Sequence, residues 1–322
     1  MRFIHEDVEF SDLLRIVARD TGLSPALVEK DYWITHTLWA LHQDSLEVWF
    51  KGGTSLSKGF GLIQRFSEDL DLKLEAGAIS VFPVVTSWKS EGTGAVTARR
   101  LFFTQLEAQL NIPNVRVELD HNQQDPAARS AMLRAYYPGS FLEGLPPALR
   151  PFVLLEVGSA RVSPYVERPI YSCVHQWLKV HHQSSEWVGN WPHAVRCVHP
   201  LVTLLEKLDA ISRRYRRTQL EPAAFIRHYE DAAHIILESA SLPKLEVGIS
   251  ELEQDMLRQR QLISPVSPED PSLVLSDPER RKALEHAWMA IAPMFWGPRI
   301  TLMRCCEVIR EWLSVFRQRG TG

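Results

Sequence analysis

No stretch of about 18 uninterrupted apolar residues occurs in the 322-residue chain, so no transmembrane helix is expected. The start, Met-Arg-Phe-Ile-His-Glu-Asp, lacks the apolar centre of a secretory signal, and the expected location is the cytoplasm, with no membrane partner. Cysteine is scarce. The four residues stand at 173, 197, 305 and 306, and the adjacency of the last two argues against a disulfide framework. A formal net charge of −3 excludes a uniformly basic surface, so any RNA contact has to be local. No Gly-x-x-x-x-Gly-Lys-Ser/Thr segment is present, which disfavours a Walker-type ATPase. Internal repeats and low-complexity stretches are also lacking.

What remains has the composition of a folded globular protein, with 45% hydrophobic and 23% charged residues. The length suits two unequal parts, each with its own core. The texture changes near Gly189-Asn-Trp-Pro192, after which the pattern is mostly helical. The expected division is therefore a sheet-containing part with N-terminal helices over residues 1–190 and a helical part over residues 191–322.

The chemistry concentrates in Lys51-Gly-Gly-Thr-Ser-Leu-Ser-Lys58 and Ser67-Glu-Asp-Leu-Asp-Leu-Lys73. An apolar strand over 46–51 runs into Gly52 and Gly53, which allow a sharp turn and close approach of backbone to a ligand. A helix starting at Thr54 or Ser55 would present free N–H groups to an anion such as phosphate. From Asp69 to Leu74 polar and apolar residues alternate, which puts Asp69, Asp71 and Lys73 on one face of a strand. Carboxylates at i and i+2 lie roughly 6.5–7 Å apart at Cα, a span that convergent side chains can close around hard cations such as magnesium. Nucleotidyl transfer is the chemistry that such a pair beside a phosphate-binding turn would perform. Taken singly, a glycine turn is usually a plain connection and an Asp-x-Asp strand a solvated face.

Other candidates follow in order. Leu27 to Leu41 reads as a helix, capped by Ser24 with Pro25 in its first turn, its charges Lys30 and Asp31 solvated. Arg65 is placed to meet phosphate or to pair with Glu68. A helix over 98–110 and a strand over 115–119 lead into a proline-rich and glycine-rich loop, then a strand over 152–157. Glu156 interrupts that apolar strand, where a carboxylate is costly to bury unless paired, and is a candidate third metal ligand or base. Arg161 is a weaker phosphate candidate. The pairs Cys173-Val-His175 and Cys197-Val-His199 have zinc-ligand types without a zinc-finger spacing. A helix from Pro200 precedes the basic cluster Arg213, Arg214, Arg216 and Arg217 around Tyr215, which reads either as an RNA-phosphate contact or as a solvated helix end. Farther on, Arg227 and Asp231 stand one helical turn apart, where an i,i+4 pair suffices as explanation.

Six pieces, Val28-Glu-Lys-Asp-Tyr-Trp33, Lys51-Gly-Gly-Thr-Ser-Leu56, Phe66-Ser-Glu-Asp-Leu-Asp-Leu72, Leu155-Glu-Val157, Leu205-Glu-Lys-Leu-Asp-Ala210 and Arg227-His-Tyr-Glu-Asp231, together resemble the AbiEii/AbiGii nucleotidyltransferase toxins. These are a branch of the polymerase-beta-like nucleotidyltransferase superfamily. The resemblance implies an α+β (α/β sandwich) fold: a nucleotidyltransferase core with a mixed sheet, followed by a helical C-terminal domain. It implies that Asp69 and Asp71 hold Mg2+ (or Mn2+), that Gly52, Gly53, Thr54 and Ser55 hold the phosphates of a nucleoside triphosphate, that Lys207 reaches the triphosphate, and that Asp231 supports the site. Glu156 stands where the superfamily commonly has Asp. The implied activity is NTP-dependent, pyrophosphate-releasing transfer to an acceptor hydroxyl, with the 3′ end of tRNA as acceptor. The implied partner is an antitoxin encoded by an adjacent gene, in a toxin–antitoxin or phage-defence pair. The alternatives are transfer to a protein or small molecule, and a nucleotide-binding toxin without catalysis.

Overall fold

A computed structural model describes residues 2–44, 46–67, 69–77, 81–123, 125–147, 149–183 and 186–319. The chain forms two compact units, Met1–Gly59 with Phe66–Cys197 and Phe60–Arg65 with Val198–Gly322. Among the described residues no helix is long and apolar enough to cross a membrane.

The fold is α+β. In the first unit, helices α1 (Phe10–Thr21) and α2 (Pro25–Gln43) precede strand β1 (Leu46–Lys51), the short helix α3 (Gly52–Lys58) and strand β2 (Asp69–Ala76). Helix α4 (Thr93–Gln109), strands β3 (Arg116–Leu119), β4 (Ser130–Tyr136), β5 (Val153–Gly158) and β6 (Tyr165–Arg168), helix α5 (Cys173–Val180) and strand β7 (Val195–Val198) follow. The seven strands make one sheet in the order β3-β4-β5-β2-β1-β7-β6. It is mixed: β1 runs antiparallel to β2, which runs parallel to β5, and β1 also pairs parallel with β7. The acid-bearing strand β2 therefore sits at the middle, flanked by β1 and β5.

Two sequence expectations are corrected here. The region between Pro126 and Pro147 is not a continuous loop, because Ser130 to Tyr136 forms β4, with Ala131, Leu133 and Ala135 turned to the core. Its alternation is carried by small alanines, a weak apolar signal. Beyond Pro192 the chain makes one more strand, β7, before it turns helical.

Helix α2 is capped as its sequence suggests, Ser24 Oγ accepting from Leu27 N at 3.3 Å. Its charges are not solvated. Glu29 and Lys30 are buried. The Glu29 carboxylate accepts the Ser140 and Phe141 N–H groups at 2.7 and 2.9 Å. Lys30 Nζ donates to the carbonyls of Arg150 and Phe152, and Asp31 takes the Lys58 amine and the Cys173 N–H. The apolar stripe understated this helix, which is covered on almost its whole circumference; each charge is compatible with burial because it is fully partnered.

Beside α2 lies a closed polar network. Asn190 donates from Nδ2 to Tyr32 Oη and to His36 Nδ1, each at 2.8 Å, while its Oδ1 accepts from His175 Nε2 at 3.0 Å. His36 Nε2 then donates to Pro113 O at 2.9 Å, and His175 Nδ1 accepts from Ser172 Oγ at 2.7 Å. Each ring thus uses one nitrogen as donor and the other as acceptor, as only neutral imidazole can. Burial accordingly pushes His36 down to about 3 and His175 down to about 4.

A folded-state pKa below the ordinary 6.5 means that the unfolded chain takes up the proton first, so stability falls as pH drops from about 6.5. Each ring is expected to remove about 1.4 kcal/mol by pH 5.5. Urea unfolding followed between pH 7.5 and 5.5 checks this, and replacing His36 by Asn should flatten the slope.

The second unit is helical: α6 (Pro200–Tyr215), α7 (Arg227–Leu237), α8 (Ile249–Arg258), α9 (Pro271–Val274), α10 (Pro278–Ala290) and α11 (Leu302–Arg319). The segment Phe60–Arg65 belongs to it, held where Arg65 bridges to Phe295 and Gln64 O accepts from Trp296 N at 3.1 Å.

Candidate active site

The glycine turn is a product of register. Lys51 pairs with Asp71 across β1 and β2, so the chain leaving β1 turns next to the Asp71 side chain. Gly52 makes that turn at φ +73°, and a Cβ there would overlap Asp71 Oδ2 and lie 2.8 Å from Asp71 Cγ. No other residue leaves room for the carboxylate in this position. Thr54 then locks α3 onto β2, its hydroxyl donating to Asp69 O at 2.6 Å and Ser67 O at 3.2 Å. Both acids and the turn are thereby fixed to one another.

Asp69 and Asp71 are partly exposed on one face of β2, alternating with the buried Leu70 and Leu72. Parallel pairing with β5 puts Glu156 directly across from Asp71, and Glu156 is the exposed position in a strand buried from Val153 to Leu155 and at Val157. The Asp69 carboxylate receives the Arg150 guanidinium at 2.9 Å. Lys73, next on the same face, is covered: its amine lies 3.5 Å from the centre of the Trp88 ring and 3.0 Å from Glu75, and burial pushes its pKa down to about 8.

The phosphate-binding candidates divide. Gly52 and Gly53 open α3, which starts ahead of the expected Thr54 or Ser55, whereas Thr54 and Ser55 are both buried. The Thr54 hydroxyl is spent on β2, and the Ser55 hydroxyl adjoins the Cys197 thiol, whose pKa burial pushes up to about 12. What those two residues offer a ligand is backbone, not side chain.

Arg65, Lys207 and Asp231 come together inside the second unit. Arg65 grips both oxygens of Asp231, Nε to Oδ1 and Nη2 to Oδ2, each at 2.8 Å, and Lys207 Nζ donates to Oδ2 at 2.7 Å. Arg65 is 2% exposed, Lys207 7% and Asp231 0%, so the cluster is one buried carboxylate between two buried cations. Burial alone would raise the Asp231 pKa, but Arg65 and Lys207 outweigh it and hold the carboxyl well below its usual range. Burial lowers Lys207 against the pull of Asp231, and His228, whose Nδ1 lies 3.4 Å from Lys207 Nζ, is also pushed down by burial.

The local i,i+4 explanation of Asp231 is therefore replaced by pairing with residues 166 and 24 positions away. Arg65 is anchored to Asp231, and the alternative partner Glu68 lies outside the described residues. Lys207 is buried because α7 closes over it, which its long apolar stem allows.

Of the remaining candidates, Arg161 donates to Ser163 O within its own loop. In the basic cluster Arg213 pairs with Asp209, Arg214 donates to Ala224 O and Arg216 pairs with Asp270 at 2.6 Å, all contacts that serve the helical unit. His175 is consumed by the Asn190 network, and His199 caps α6 by accepting from Leu201 N at 3.1 Å while donating to Pro243 O. Sequence reasoning missed Arg150, which lies in no motif, and took Lys30 for a solvated charge although it is buried.

Among the described residues no three His, Cys, Asp or Glu side chains are grouped so that they could hold a metal ion. Two carboxylates, Asp69 and Asp71, share one face of β2 as hard oxygen donors. That fits Mg2+, which typically takes one or two carboxylates and completes its shell with water and substrate phosphate. A comparison with curated proteins found no match. Residues 37–304 match the family described as nucleotidyl transferase AbiEii toxin, type IV TA system. That match covers most of the sequence, and the chain belongs to this family of nucleotidyltransferase toxins from type IV toxin–antitoxin systems.

Proposed function

We propose that the protein transfers a nucleotide from an NTP to an acceptor hydroxyl, with release of pyrophosphate, and that the acceptor is the 3′ end of tRNA. The observation that carries this reading is the Asp71 carboxylate seated on Gly52, with Asp69 on the same strand face and Glu156 opposite in register. Family membership supports nucleotidyl transfer; the choice of tRNA follows the family resemblance.

In this reading Asp69 and Asp71 hold Mg2+, and Glu156 completes its surroundings or takes the proton of the acceptor hydroxyl. Bound there, Mg2+ would neutralise charge on the attacking and leaving oxygens. The Gly52-Gly53 turn lets the triphosphate approach the backbone closely. Within the helical unit, Asp231 with Arg65 fixes the direction in which the Lys207 amine points. The cognate antitoxin is the partner.

Incubation with each labelled NTP, total RNA and Mg2+ tests the proposal. The expected result is label in the tRNA band, with pyrophosphate released and both lost on chelation by EDTA. Label in protein or in small molecules would move the acceptor, and nucleotide binding without pyrophosphate release would remove catalysis.

A further inference from the structure

We infer that Arg150 is a positioning residue that holds Asp69 while the site is empty and passes to the phosphates of the incoming nucleotide when metal takes its place. The inference rests on the metal-dependent reading above and adds a residue to it.

Three observations carry it. The Arg150 guanidinium lies 2.9 Å from Asp69 Oδ1, on one of the two acids proposed to bind metal. Its backbone is fixed from beneath: Lys30, buried in α2, donates from Nζ to the carbonyls of Arg150 and, at 2.7 Å, of Phe152. Its head is 46% exposed and that of Asp69 23%, so the ion pair is open to exchange. A fully buried lysine spent on two carbonyls is a costly way to shape a surface loop, and what it fixes is the point from which Arg150 reaches the acid.

Exposed ion pairs contribute little, so a divalent cation arriving with a triphosphate can displace the guanidinium from Asp69. The anchored main chain keeps Arg150 within one side-chain length of the acid. There its planar fork can take phosphate oxygens in two parallel hydrogen bonds. The guanidinium would thus oppose capture of free metal and favour metal bound to triphosphate.

Mn2+ titration followed by electron paramagnetic resonance, with and without inorganic tripolyphosphate, tests this without turnover. Arg150→Ala should bind Mn2+ alone about threefold more tightly than the unmodified protein. It should bind tripolyphosphate with Mn2+ roughly tenfold more weakly. Arg150→Lys keeps the charge without the fork and should return Mn2+ affinity to its starting value while recovering only part of the tripolyphosphate affinity. Should Asp69→Asn weaken Mn2+ binding while Arg150→Ala behaves like the unmodified protein in either titration, the role of Arg150 is overturned and the metal reading stands. Mn2+ binding indifferent to Asp69→Asn overturns both.

Discussion

Asp71→Asn is expected to lower nucleotide transfer by about three orders of magnitude or more while leaving the protein folded. Asn has the shape of Asp and fits against Gly52, but it lacks the negative charge that the proposed reaction needs. Loss of several kcal/mol of charge stabilisation in the transition state corresponds to that fall. Asp71 is only partly buried, so unfolding should shift by no more than about 0.5 kcal/mol. Gly52→Ala approaches the same residue from the other side. Its Cβ would lie 2.8 Å from Asp71 Cγ and 2.9 Å from Asp71 Cβ, and φ +73° already disfavours any side chain. The carboxylate has to move, and a displacement of about 1 Å at a reacting centre lowers rates on the order of 100-fold. Gly61→Ala is the control. It bears the same backbone strain at φ +66° with nothing within 4 Å, and should lose about 1 kcal/mol of stability without loss of transfer. Transfer by Gly52→Ala within threefold of the unmodified protein would sink the assignment of the turn.

How much of this was open to inspection in the amino-acid order depends on the range of the interaction. The alternation from Asp69 to Leu74 and the apolar run before the double glycine are local patterns, and they place β1 and β2 correctly, whereas α3 begins at Gly52 and not at Thr54 or Ser55. That Gly52 and Asp71 touch is not local. It follows from the Lys51–Asp71 register, which only the antiparallel pairing of β1 with β2 defines. Glu156 was visible as a charge in an apolar strand, but its place opposite Asp71 needed the parallel pairing of β5.

Polar residues on α2 were misread for a related reason. Periodicity reports which face of a helix is apolar, and a helix buried all round satisfies its charges with partners more than 100 residues away, as Glu29 does with Ser140 and Lys30 with Arg150. Strand β4 escaped because its inward residues Ala131 and Ala135 carry little hydrophobic signal. The pairing of Arg65 with Asp231 escaped because a short segment between α3 and β2 packs with helices that begin more than 130 residues later.

The buried carboxylate of Asp231 sets the second large expectation. Asp231→Ala should destabilise the helical unit by about 3–5 kcal/mol, because Arg65 and Lys207 would remain buried with their shared counter-charge gone. Part of that cost can be relieved by Lys207, which burial already pushes toward the neutral amine, whereas Arg65 cannot give up its proton. Arg65→Met in the Asp231→Ala background is therefore expected to regain stability, although Arg65→Met alone loses it. In the unmodified protein the depressed pKa of Asp231 makes a contribution that is complete above the ordinary carboxyl value of about 3.9 and is lost as pH falls below it. Asp231→Ala should remove that acid-limb dependence while leaving the histidine slope between pH 7.5 and 5.5 intact. Equilibrium unfolding in urea at a series of pH values measures both. A change below about 1 kcal/mol, or additive effects of Arg65→Met and Asp231→Ala, would mean that the cluster is not the electrostatic centre of this unit.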